Sequence, residues 1–345
     1  MFRYTRLDAI PVAGFVIYAI LLVAMVALGD RLLANPGLAI GFLLVLLLLF
    51  NLGIHGYHYH QHTPFFRSSR LNAAVNLLCS AAWSYPMCVY AHTHYLHHEP
   101  NSVATTPTYR DTAGWKGALQ HVGLSWKGLF LQLDVLKLFP ILHLLRYEHE
   151  ASPHAENDRL SSFPGTKAWY HPKQRAFSSV FWDLFATDSV FNPPPHVRLT
   201  YELAKDRRRW GTVVSETLAV TAFRAVLAVV DWQTFLLLYV PWEYIINSVF
   251  RSWTDYVDHC GAYLDDPSRN SASCYGRLFN VISLNGGYHM EHHFRAGLHW
   301  TTLRGVRNKL PDENERRVTP LHYLNPLFPP RAAQAPGAHV SRGPL

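Results

Sequence analysis

The chain of 345 residues is 49% hydrophobic and only 16% charged, against about a quarter charged in soluble domains, and its formal net charge is +7. This composition excludes a disordered or fibrous chain, and because the basic residues flank apolar runs instead of interleaving with stacking aromatics, it also excludes a nucleic-acid partner. Four cysteines with no CxxC pair exclude a disulfide scaffold or a zinc knuckle, whereas 21 histidines point to metal chemistry.

Residues 11–29 carry no charge and are long enough to cross a bilayer. Arg3 and Arg6 precede them as in a signal peptide, but a second apolar run follows at once, so the first is read as a retained span. That second run, 37–54, returns after a short loop containing Pro36, and the two form a helical hairpin with both ends on one side. His55-Gly56-Tyr57-His58-Tyr59-His60-Gln61-His62 continues directly from it. His58 and His62, four apart, share a helical face in chelating geometry, although other pairings such as His55 with His58 or His62 leave the phase open.

Residues 71–90 and 115–145 are apolar with scattered polar side chains, as expected of helices at the membrane interface or packed as soluble-side core. Between them, His92-Thr93-His94-Tyr95-Leu96-His97-His98 holds the spacing HxxHH as His94, His97 and His98. Imidazoles at i, i+3 and i+4 point into one site, and the two neighbours can reach two metal ions. Residues 152–195 are rich in Pro, Ser and aromatics and read as ordered loop and short helix.

A second hairpin, 211–230 and 232–250, turns at Asp231, and its first run contains Glu216 and Arg224, ionisable groups expected to face the protein interior. The basic stretch Lys205 to Arg209 precedes it, while the turns at Asp30-Arg31 and Asp231 have almost no net charge, which puts the termini and residues 55–210 in the cytoplasm. Past the fourth run, Ser252 to His259 ends in a histidine, and Tyr288-His289-Met290-Glu291-His292-His293 repeats the HxxHH spacing. Twelve of the 21 histidines thus fall at 55–62, 92–98, 259 and 289–293, all on one face of the membrane. An all-nitrogen set fits iron, copper or zinc better than calcium or magnesium, and eight or more imidazoles suffice for two ions.

The boxes HYHQHTPFF, HTHYLHHEPN and YHMEHHF, in this order relative to the spans, resemble those of the membrane fatty acid desaturase and hydroxylase family. The resemblance implies an all-α integral membrane fold: four transmembrane helices in two hairpins under a cytoplasmic helical cap, with an acyl-chain tunnel between the spans. One domain would cover 1–325, with a disordered tail at 326–345. It also implies two iron ions held by His58, His62, His94, His97, His98, His289, His292 and His293, with His259 as a ninth ligand, and this set is the candidate catalytic centre. Asp255, four residues before His259, would either ligate, hold a bound water, or serve as an ordinary surface carboxylate.

The implied activity is dioxygen-dependent introduction of a double bond into a fatty acyl chain. Hydroxylation or ketolation of a lipid or carotenoid is the alternative enzyme, and a non-catalytic membrane metal-binding or transport protein the alternative of another class. No fused cytochrome signature is present, since His171-Pro172 is followed by Lys173, so electrons would come from a separate ferredoxin, rubredoxin or cytochrome-type donor. The expected location is a bacterial inner membrane with the metals on the cytoplasmic side. His55, His60 and His92 are surplus imidazoles, either supporting the ligands or on a polar surface, and Arg295 and His299 depart from the apolar residues usual after the last box.

Overall fold

The computed structural model describes residues 1–88, 90, 91, 94, 98, 209–262, 268–312 and 315–328. The expectations for 115–145, 152–195 and the tail beyond 328, and the side chains of His92 and His97, lie outside the described residues; Pro326 to Phe328, expected in the tail, are instead ordered, with Pro326 buried and the Phe328 carbonyl accepting from Arg317.

A short 3-10 turn, Arg6–Asp8, leads into α1 (Ala9–Ala27), with the Thr5 side chain accepting from the Leu7 N–H at 3.2 Å. Phe15, Tyr18, Leu22 and Met25 of α1 are buried, yet its outer face exposes Ile17, Ile20 and Val23. A helix apolar on both its packed and its open faces is one whose outer solvent is lipid. The expected loop after it is a further helical turn, α2 (Gly29–Ala34). A side chain at Gly29 would put its Cβ 1.8 Å from Thr234 Oγ1, so glycine there lets the first hairpin's turn rest on the second's.

Asn35 caps α3 (Pro36–His62), accepting from Leu38 N–H at 3.1 Å, and Pro36 supplies the preset first-turn φ. At 1.5 Å per residue the 27 residues of α3 extend about 40 Å, beyond the roughly 30 Å of a hydrocarbon core. The excess is the first histidine segment, held rigidly on the end of a span. After a reversal, α4 (Ser69–Trp83) packs against α1 and the helix Trp210–Val230 and stops at Ser84, whose φ of 55° is left-handed.

The third long apolar helix is α5 (Trp210–Val230). Glu216 accepts the Cys88 N–H at 2.6 Å, and Arg224 forms a buried ion pair with Glu243. Both charges therefore face the protein, which is how an apolar helix tolerates them. Asp231 then caps the next helix through Gln233 and Thr234 N–H groups at 3.0 and 3.2 Å. That helix is continuous in backbone conformation but changes pitch: α6 (Trp232–Thr234), a π-helical stretch Phe235–Tyr239, α7 (Val240–Tyr244), a second π stretch Ile245–Phe250, and α8 (Arg251–His259). Pro241, lacking an N–H, sits just past the first wide stretch.

Among the described residues, three helices are long and apolar enough to cross a membrane: Arg6–Ala27, Pro36–His62 and Trp210–Val230. Their shared core is aromatic, with Trp83 edge-on to Phe15, Phe50 and Tyr57 at 5.7, 6.2 and 5.3 Å between ring centroids.

A cap of short elements closes the histidine end. It contains β1 (Ala272–Ser273) paired in parallel with β2 (Arg317–Val318), α9 (Arg277–Ile282), α10 (His289–Phe294), and 3-10 helices at Trp300–Lys309 and His322–Leu327. The N-terminus joins this layer, since Arg3 N–H donates to Phe65 C=O at 2.7 Å. Leu284 and Asn285 turn with positive φ, and Gly287 follows where a Cβ would lie 2.0 Å from the Cys274 carbonyl oxygen.

Candidate metal centre

The last two turns of α3 present His58 and His62 inward. Opposite them, His94 and His98 stand one helical turn apart, with His98 N–H donating to His94 C=O at 3.2 Å. The fifth ring is His292 of α10. Their Nε2 atoms form an open chain of close approaches: His58 to His292 at 2.6 Å, His292 to His98 at 3.2 Å, His98 to His94 at 3.0 Å, and His94 to His62 at 2.7 Å. One nitrogen from each of the five lies within 4.8 Å of every other.

A second group, His259, His289 and His293, meets the same criterion. His289 and His293 are one turn apart on α10, and His259 ends α8 with its ring centroid 5.2 and 4.9 Å from theirs. The third box is thus shared out: His292 turns to the first group, and its helical neighbours His289 and His293 turn to the second. His98 and His293, at 4.4 Å between centroids, connect the two groups.

Hydrogen bonds to backbone oxygen fix which nitrogens can offer lone pairs. His259 Nδ1 lies 2.8 Å from Asn270 C=O, which can only accept, so its proton is on Nδ1 and Nε2 is the donor atom for a metal. His55 Nδ1 is likewise held by Asn51 C=O at 2.8 Å, and His60 Nδ1 accepts the Phe65 N–H at 3.2 Å. These two rings serve the backbone and lie outside both groups. Burial, and after it the neighbouring imidazoles, push the His292 pKa well below the ordinary histidine range, so this ring is neutral and its lone pair available. Five converging imidazole nitrogens with no thiolate or carboxylate among them fit a borderline first-row transition metal.

The carboxylates divide differently from their spacing. Asp255 lies on the exposed side of α8 and belongs to neither group. Asp258 is buried, with Oδ2 3.8 Å from His289 Nδ1 and Oδ1 3.6 Å from His322 Nε2. Desolvation, and secondarily Asp255, raises the Asp258 pKa well above the usual carboxylate range. Glu291, within the third box itself, is fully buried and points away from the imidazoles. It accepts from Ser273 Oγ at 2.9 Å and Tyr275 Oη at 2.7 Å, which pins α10 to β1.

Spacing gave no sign of His322, a lone histidine of the last 3-10 helix, or of Tyr90, whose ring stacks on His94 at 5.5 Å and 3°. Tyr90 also lines a small, mainly apolar pocket with Phe50, Ile54, Tyr57 and Trp83, to which Asn247 and Arg251 add polar groups. Tyr90 thus links this apolar lining to the first histidine group.

Residues 142–325, more than half of the chain, match the fatty acid desaturase family model. The chain belongs to the fatty acid desaturase family. The match contains α5 to α10, His259 and the third box, whereas the first two boxes precede it and join the centre through their geometry. This desaturase-family protein is accordingly a membrane-associated, lipid-directed oxidoreductase of the desaturase and hydroxylase type. No curated protein and no solved structure matches the chain.

Proposed function

We propose that the protein is a membrane-bound di-iron desaturase that uses dioxygen to introduce a double bond into a fatty acyl chain. The observation that carries this reading is the convergence of two histidine groups beside the end of a helix long and apolar enough to cross a membrane. His58, His62, His94, His98 and His292 would hold one iron, and His259, His289 and His293 the other, while His97 is kept in the ligand set from its place in the second box. Asp255 is not in the proposed set, and Asp258 would orient the His289 ring instead.

Bound iron supplies the oxidising power, with dioxygen and two external electrons, to remove hydrogen from an unactivated methylene. The balance is one alkene and two waters from one CH2–CH2 unit, one dioxygen, two electrons and two protons. The chain's own contribution is placement. Phe50, Tyr57 and Trp83 pack into an apolar wall that excludes water, and Tyr90 bridges that wall to His94. The imidazoles would offer their lone pairs to iron, and the backbone bond at His259 fixes its ring.

The fourth span is proposed for the 232–250 part of the long π-interrupted helix, and the histidine side is assigned to the cytoplasm of a bacterial inner membrane. The basic residues Arg3, Arg6 and Arg209 on that side support the assignment. A soluble ferredoxin, rubredoxin or cytochrome-type protein would deliver electrons there.

Metal analysis of detergent-purified protein tests the centre: two irons per chain are expected, one for each histidine group. His292→Ala and His293→Ala should each lower that number while the protein still inserts into the membrane. Zinc alone, or undiminished iron in both variants, would overturn the reading. Lipid profiles of cells with and without the gene then separate a desaturated product from a hydroxylated one.

A further inference from the structure

Two short elements of the cap expose large apolar side chains in ordered stripes. On α9, Leu278 and Val281 are 76% and 73% exposed and, three apart, share one face. The helix cannot roll to hide them. Phe279 stacks on His322 at 4.2 Å and 19°, and Asn280 donates to Cys274 C=O at 2.8 Å, fixing the opposite face inward. At the final 3-10 helix, Leu321, Leu324 and Leu327 are exposed, while His322, Asn325 and Pro326 are buried. Three residues per turn place those leucines in one line.

Both elements meet α3 at Asn51, and the Phe279 and His322 rings meet it again at His55. Asn51 Nδ2 donates to Ile282 C=O at 3.1 Å, and Tyr323 Oη donates to Asn51 Oδ1. Asn51 lies three residues inside the apolar run 37–54, about 4.5 Å below its end at the helical rise. The exposed leucines are therefore near the level where the run leaves lipid, above Leu44 and Leu48, which are exposed on α3 seven and three residues before Asn51 and so on its face. Arg277, exposed beside Leu278, supplies a cation suited to anionic headgroups.

We propose that α9 and the 322–327 helix are embedded in the leaflet on the histidine side, with Leu278, Val281, Leu321, Leu324 and Leu327 in the acyl region. The partner is the lipid surface itself. The proposal rests on the reading of α3 as a membrane span. It gives the cap a second attachment to the membrane, placed so that His322 and Phe279 lie between lipid and Asp258.

Spin labels on Leu278→Cys and Leu324→Cys, with the metal-loaded protein in vesicles of phosphatidylcholine and phosphatidylglycerol, test it. Leu48→Cys on α3 serves as the lipid reference. Collisional relaxation by oxygen should exceed that by a water-soluble nickel chelate at 278 and 324, as at 48. Greater accessibility to nickel at 278 and 324, with position 48 in lipid, would overturn the proposal and leave the span intact. Inaccessibility to both reagents would mean that protein covers the stripe, either residues 101–208 or a second copy, and would overturn it equally. Nickel access at position 48 would overturn the span and the proposal together.

Discussion

His299 Nε2 lies 2.9 Å from Asp8 Oδ1, and the same oxygen accepts the Trp300 indole N–H at 3.0 Å, joining the first turn of the chain to the segment that follows the third box. Asp8 is fully buried, and Thr301 Oγ1 lies 2.8 Å from the other nitrogen of His299. His299, a departure from the apolar residues expected after the last box, is thus a structural ligand of the N-terminus. Asp8→Ala would leave two buried donors unpaired and should cost about 2–3 kcal/mol. A melting curve in detergent reads this as a lowered midpoint, and an unchanged midpoint would show that the contact contributes nothing.

Glu291 offers both carboxylate oxygens to hydroxyl donors, so its amide analogue can satisfy only one of them. Glu291→Gln should cost about 1–3 kcal/mol and loosen α10, lowering metal retention in a chelator challenge although residue 291 touches no metal-binding group. Ser273→Ala should produce a smaller effect in the same direction. Wild-type retention in Glu291→Gln would show that α10 is held by its other contacts.

His322 carries a pH signature. Burial, then His55, depresses its pKa well below the ordinary histidine range. A depressed folded-state value means that the unfolded chain binds the proton first. Stability is therefore complete above about pH 6.5 and is lost as the pH falls from there toward the folded value, at up to about 1.4 kcal/mol per pH unit for one group. His322→Gln keeps a donor near Asp258 without a titrating ring and should flatten the slope of denaturation midpoint against pH below 6.5. An unaltered slope would assign it to other groups, His292 first among them.

The proposed topology is open to a thiol-labelling test with a membrane-impermeant reagent. Asn35 and Ser68 are both exposed and lie at opposite ends of α3. Asn35→Cys should label in intact cells, and Ser68→Cys only after permeabilisation. The reverse pattern would place the histidine groups outside the cytoplasm and remove access for a soluble electron donor.

Local sequence carries the long apolar helices well, because a run such as 11–29 needs no tertiary information to demand lipid or core. The same holds for the i,i+4 pairs His58/His62 and His289/His293, which each stay within one histidine group. Where the reading is silent, the deciding contact is remote in sequence. His322 meets Asp258 across 64 positions, and Glu291 turns to a strand that no periodicity announces. The distinction between His58 and His60 was legible as helical phase, but the Phe65 N–H that occupies His60 was not. Asp255 and His259 share a spacing, yet α8 ends at His259 and buries Asp258, while Asp255 faces outward.

The distribution of the proposed ligands along the chain has a consequence for biosynthesis. His58 and His62 leave the ribosome early, yet the first histidine group is closed only by His292, which is synthesised 230 positions after His62. Neither group can therefore be filled while the chain is still being inserted, and a polypeptide that stalls after α5 carries at most a partial set of imidazoles. On the proposed function, metal uptake would come last and would report that the early and late segments of the chain have met.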